Sequence, residues 1–128
     1  MLPEEDRIRL QHMLDAAQSA LRFVKERRRE DLEADEMLTF ALVRALEIIG
    51  EAAGQVSDPT RQTLPQIPWR DIVGMRHRLV HAYFDVDLNR VWDTAVHYVP
   101  ELVERLVTAL QYHSPGGADS HKCERGVV

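Results

Sequence analysis

Apolar residues return every three or four positions through most of the first 110 residues, and the breaks in that recurrence divide the chain into helices. Leu10, Met13, Leu14, Ala17, Leu21 and Val24 fall on one face of a first helix, opened by Pro3 and the acidic turn Glu4, Glu5, Asp6 and predicted to run to about Arg29. Lys25 to Arg29 suits its C-terminal end, where cations meet the negative end of the helix dipole. A second helix begins near Asp35 and carries Leu38, Ala41, Leu42, Ala45, Leu46, Ile49, Ala52, Ala53 and Val56. That stripe is broad enough to face more than one neighbour, which marks this helix as the central one. Ser57-Asp58-Pro59 ends it, and Asp58 to Pro68 reads as a loop. Pro68 then opens a third helix with Trp69, Ile72, Val73, Met75, Leu79 and Val80. A fourth starts at the N-cap Asp87 and continues from Val91 and Trp92 to Leu110, with a kink expected at Pro100. No repeat and no convincing strand is visible. The fold class is therefore all-α, an antiparallel bundle of about four main helices. It comprises one helical domain over residues 1–113 and a flexible tail, SPGGADSHKCERGVV, over residues 114–128.

Composition narrows the setting. With 128 residues, 45% hydrophobic and 29% charged, the chain has the make-up of an ordinary globular domain with a core of its own. It lacks the run of roughly 20 apolar residues that a membrane span requires, and its acidic start is unlike a signal peptide. A cytoplasmic protein with no membrane association is expected. The single cysteine, Cys123, cannot form an intrachain disulfide or a Cys-based zinc site. The net charge of -5 argues against broad wrapping by nucleic acid. One segment runs against that balance: between Pro68 and His81 the charged residues are Arg70, Asp71, Arg76 and Arg78, a local +2.

The stretch MRHRLVHAYFD, Met75 to Asp85, puts two arginines, two histidines and a tyrosine into an otherwise apolar segment. Each costs more to bury than the Leu or Ala that packing alone would favour. Three roles compete for them. In a structural role, His81 is an interior hydrogen-bonded histidine, Tyr83 a packed aromatic, and Arg76 the ion-pair partner of an acid such as Glu47 or Glu51. In a metal role, His77 and His81 form an H-x-x-x-H pair, but the Glu of zinc proteases is missing and no third ligand is certain. In a catalytic role, Arg76 clamps a phosphate and His81 moves protons near neutral pH, which suffices for metal-independent RNA cleavage. His77 and Arg78 are then candidate substrate contacts. Geometry poses a problem for the last role. Five residues on a regular helix separate Arg76 and His81 by roughly 140°. Either the helix unwinds around Ala82, or a second copy of the chain completes the site across a two-fold axis.

The segments LEIIGEAA, IPW, GMRHRLVHAYFDVD and VW, in that order, frame the motif R-x4-H-x-Y formed by Arg76, His81 and Tyr83. Over roughly Glu4 to Leu110 the chain closely resembles the HepT-like branch of the HEPN superfamily. The resemblance implies an α-helical homodimer with the two motifs meeting in a cleft, acting on RNA as a metal-independent endoribonuclease toxin that needs no cofactor. It further implies a cognate minimal nucleotidyltransferase antitoxin of the MntA type, able to silence the toxin by transferring AMP to the motif tyrosine. By position, Arg76 and His81 become the catalytic pair and Tyr83 the modified residue. The family usually has Asn after the motif arginine, where this chain has His77.

The chemistry is sound in its own terms. An RNA 2′-hydroxyl lies beside its own phosphate, so a base that removes its proton lets it attack in place. The products are a cyclic phosphate and a free 5′-hydroxyl. His81 would exchange the proton while Arg76 stabilises charge on the phosphate oxygens. The alternative function is a non-catalytic, nucleotidyltransferase-associated binding module, in which the same residues hold the dimer or the partner's nucleotide.

Overall fold

The computed structural model describes residues 2–82 and 85–112. Helix α1 spans Glu4–Val24, α2 Asp31–Ala34 and α3 Glu36–Gly54; α4 covers Asp58–Thr63, α5 Trp69–Val73 and α6 Met75–Leu79. After α6 the chain forms a short antiparallel hairpin, β1 (Val80–Ala82) with β2 (Asp85–Val86). It then returns to helix as α7 (Leu88–Asp93), a π turn (Thr94–Tyr98) and α8 (Val99–Tyr112). The fold is an all-α bundle, with α1 packed along α3 on one side and α8 on the other. Leu10, Met13, Leu42, Leu46, Ile49 and Leu106 fill the space between them and are essentially solvent-free.

Several ends are set by side chains the sequence makes conspicuous. The Asp35 carboxylate accepts the Leu38 amide at 3.1 Å to start α3, and the Asp87 carboxylate accepts the Arg90 amide at 3.2 Å to start α7. The far end of α3 is capped from a distance. Arg61 donates to the carbonyls of Ala53 (3.0 Å) and Val56 (3.1 Å), and its guanidinium lies 5.8 Å from the Trp69 ring centroid. At the N-terminus Asp6, only 4% exposed, joins α1 to the start of α4. It accepts hydrogen bonds from the Ser57 amide (3.0 Å), the Ser57 hydroxyl (2.6 Å) and the Thr60 hydroxyl (2.5 Å). Burial alone would raise this carboxyl's pKa, but the bonds from Ser57 and Thr60 outweigh it and hold the group below its ordinary value.

Four expectations change. Helix α1 stops at Val24, not Arg29, because the chain turns through a left-handed residue at Glu26 (φ 61°). Lys25 to Arg29 therefore form the turn beyond the helix, where Arg29 reaches the side chain of Asn89 at 2.6 Å. The stretch Asp58 to Pro68 is not all loop: Pro59 sits in the first turn of α4, a position where proline is tolerated because its amide would be unpaired there anyway. The third helix is interrupted at Gly74 and ends at Leu79, and the residues after it pair as a hairpin where no strand was expected. The kink expected at Pro100 is absorbed by the π turn, in which the Val99 amide bonds to the carbonyl of Thr94. The wider turn falls where the proline ring would otherwise meet the carbonyl of Val96. The tail 114–128, with Cys123, lies outside the described residues.

Candidate active site at the helix-to-strand switch

The R-x4-H motif straddles a change of secondary structure. Arg76 is the second residue of α6, and His81 is the middle residue of β1. Helix α6 has only five residues, far too few to hold its shape alone, so tertiary ties must fix it. Met75 and Leu79 are buried in the core (8% and 2% exposed). The Gly74 amide bonds to the Arg70 carbonyl at 3.1 Å and the His77 amide to the Gly74 carbonyl at 3.2 Å. At the other end the Asp87 amide donates to the Leu79 carbonyl at 2.8 Å, tying the last residue of α6 to the start of α7. In β1 and β2, Val80 pairs with Val86 and Ala82 with Asp85, with an irregularity between.

Between Arg76 and His81 the backbone changes from helix to strand. The helix gives way at Val80 rather than around Ala82, before the histidine is reached. His77 and Arg78 are both exposed on α6. The Arg78 guanidinium donates a hydrogen bond to the carbonyl of Asp71, near the end of α5. Tyr83 lies outside the described residues, as do the side chains of Arg76 and His81. The acids considered as partners for Arg76 both lie near Arg44, whose guanidinium is 3.6 Å from Glu47 and 3.3 Å from Glu51. Among the described residues no group of three His, Cys, Asp or Glu side chains is arranged to hold a metal ion. No helix among them is long and apolar enough to cross a membrane.

The central helix is shaped to receive this segment. A Cβ at Gly50 would come within 3.0 Å of the Ile72 carbonyl oxygen, so only glycine lets α5 approach α3 this closely. Beside α6, a cavity of about 580 Å³ opens between α5 and the α7–α8 helix. Its floor includes Ile49, Met75 and Leu102, and Arg90, Tyr98 and Arg105 stand around it. The sequence reading did not single out these three. The one available signal was Pro100, since a helix interrupted by proline must rearrange the turn before it, and Tyr98, 67% exposed, lies in that turn.

Comparison with known proteins settles what this frame is. Residues 13–109 match the family model described as "Ribonuclease HepT-like". The chain belongs to the HepT-like ribonuclease family. It is 38% identical over 102 residues to a protein of Caldanaerobacter subterraneus provisionally named an RNase, spanning 80% of this chain and 91% of that one. It is 39% identical over 93 residues to a Thermococcus cleftensis protein provisionally named ribonuclease HepT, covering 73% of this chain and 84% of the relative. A Methanocaldococcus jannaschii protein, also provisionally named an RNase, is 36% identical over 93 residues, 73% of this chain and 77% of its own length. No solved structure matches. The region matched by the HepT-like family model includes α3, α5, α6, the hairpin and α7, and so spans the R-x4-H segment.

Proposed function

We propose that this HepT-like ribonuclease is the toxin of a toxin–antitoxin pair, a metal-independent endoribonuclease working in the cytoplasm as a homodimer. The observation that carries the reading is the placement of Arg76 and His81 on either side of the helix-to-strand switch, within a chain of this family. The step needs only these groups. His81 takes the proton of the 2′-hydroxyl as its oxygen attacks phosphorus, and the bond from phosphorus to the 5′-oxygen breaks. The departing oxygen receives a proton from the partner protomer's copy of the same histidine. Arg76 stabilises the charge that builds on the non-bridging oxygens. His77, exposed one position beyond Arg76, is the candidate contact to the RNA strand.

The antitoxin of this reading is a minimal nucleotidyltransferase that joins AMP to the Tyr83 oxygen. The modification adds a negative phosphate and a nucleoside two residues from His81, where like charge and bulk exclude RNA. The test is cleavage of RNA by the purified chain. Wild type should cut in EDTA and leave cyclic or 2′/3′-phosphate ends, whereas His81→Ala and Arg76→Ala should be inactive while keeping their helical signal. Cleavage that a chelator abolishes and a divalent ion restores would revive the His77/His81 metal role. A folded wild-type protein that cuts no RNA would favour the binding module.

A further inference from the structure

We infer that Arg78 is a positioning residue: through its hydrogen bond to the Asp71 carbonyl it sets the angle of α6 and so places Arg76 relative to His81, without itself contacting RNA. The inference rests on the ribonuclease reading above.

Two residues separate Arg78 from Arg76, about 200° around a helix, so the Arg78 position is on the far side of α6 from the Arg76 position. On that side its guanidinium is engaged with the last turn of α5 rather than with the motif. The joint it spans is narrow. Gly74 caps α5 and directly precedes α6. A Cβ there would stand 3.3 Å from the Arg70 carbonyl oxygen and 4.0 Å from an Arg78 guanidinium nitrogen. Carbonyls at a helix end have no partner within the helix, and a five-residue helix has no rigidity of its own. A guanidinium that satisfies one of these carbonyls while rooted in the next helix therefore sets the angle between the two. Arg78 also lines the cavity beside α6 together with Asp71 and Ile72, so the brace stands at the cavity wall between α5 and α6. Misplacing a reacting group by about 1 Å can lower a rate by up to a hundredfold, so a small rotation of α6 is enough to matter.

The experiment is steady-state cleavage of a single-stranded RNA by full-length wild type, Arg78→Met and Gly74→Ala at several salt concentrations, with thermal unfolding measured alongside. Arg78→Met keeps the apolar stem and loses the donor. The expected result is a kcat reduced about tenfold or more, an unchanged KM, and an unchanged slope of log KM against log salt. Gly74→Ala crowds the same joint from a position that carries no side-chain donor and should reproduce the loss in kcat. If Arg78 instead binds a phosphate, Arg78→Met raises KM, the salt slope falls by about one unit, and Gly74→Ala does not share the effect. That outcome overturns the inference. Unchanged kcat in Arg78→Met with normal unfolding also overturns it. Wild type that cleaves nothing defeats the ribonuclease reading itself, a separate result.

Discussion

Replacing Asp6 with alanine should cost this small domain a large share of its stability, because one nearly buried carboxylate holds α1 to the entry of α4. The side chain accepts three hydrogen bonds, from the Ser57 amide at 3.0 Å and the hydroxyls of Ser57 and Thr60 at 2.6 Å and 2.5 Å. A hydrogen bond to a charged group contributes roughly 1.5–3 kcal/mol. The three share one acceptor group and do not add in full. Thr60 is 2% exposed and cannot turn its hydroxyl to bulk water. Asp6→Ala leaves neutral donors without their acceptor and is therefore expected to lose about 2–4 kcal/mol, against a typical total of about 5–15 kcal/mol. The effect has a pH signature. The folded-state carboxyl titrates below its ordinary 3.8, since the bonds from Ser57 and Thr60 overcome the opposing effect of burial. Its contribution is thus complete above that value and is lost as pH falls through the lower folded-state pKa. Urea unfolding followed by circular dichroism, at pH 7 and at steps below pH 4, checks both parts. Wild type should lose stability on acidification more steeply than Asp6→Ala, and the two curves should converge. A variant within 1 kcal/mol of wild type at pH 7, or parallel acid curves, would refute the assignment of Asp6 as a charged staple.

Two glycines in α3 make a matched pair: Gly54→Ala meets nothing within 4 Å and should stabilise by about 0.5 kcal/mol. Gly50→Ala drives a Cβ to 3.0 Å from a backbone oxygen of α5, and should destabilise by about 1–3 kcal/mol and lower RNA cleavage, as read by urea unfolding and the same ribonuclease assay. Mixing inactive His81→Ala and Arg76→Ala chains should restore a small part of the cleavage, since a heterodimer can assemble one intact Arg76 and His81 pair across the two-fold axis, with water taking the place of the missing second histidine as proton donor. No recovery in a mixture shown to form heterodimers would refute the shared cleft.

The long helices were legible because their signals are redundant. In α3 the apolar stripe, the cap at Asp35 and the stop near Ser57 agree, and the helix spans Glu36–Gly54. Asp87 announced α7 in the same way. The errors fell where one residue type serves two purposes. Proline both ends helices and opens them, and at Pro59 the opening role prevails, with Ser57 turned away from capping to bind Asp6. The basic run Lys25 to Arg29 looked like a helix end but is the turn after one, bent at Glu26. The hairpin escaped notice because three residues facing two carry too little alternation to read as strands. The R-x4-H-x-Y pattern could be read from the chain alone and a break in the helix near Ala82 is one of two expectations it raises, yet the place of the change, at Val80, could not be read there. It depends on Leu79 being anchored in the core and tied to Asp87, contacts remote from the local pattern.

That change alters what the four-residue spacer measures. From Arg76 to Leu79 the chain climbs about 1.5 Å and turns about 100° per residue; from Val80 onward it advances about 3.3 Å and alternates sides. The spacer is thus a ruler with two scales. Losing one residue from its helical part would swing everything downstream around the axis, while losing one from its extended part would reverse His81 to the opposite side of the strand. Neither error is undone by adding one residue to the other part, since a helical step of about 100° does not equal the half-turn of a strand step. Of the four residues between arginine and histidine, three are helical and one is extended, whereas the same count held wholly in a helix would set the two about 140° apart.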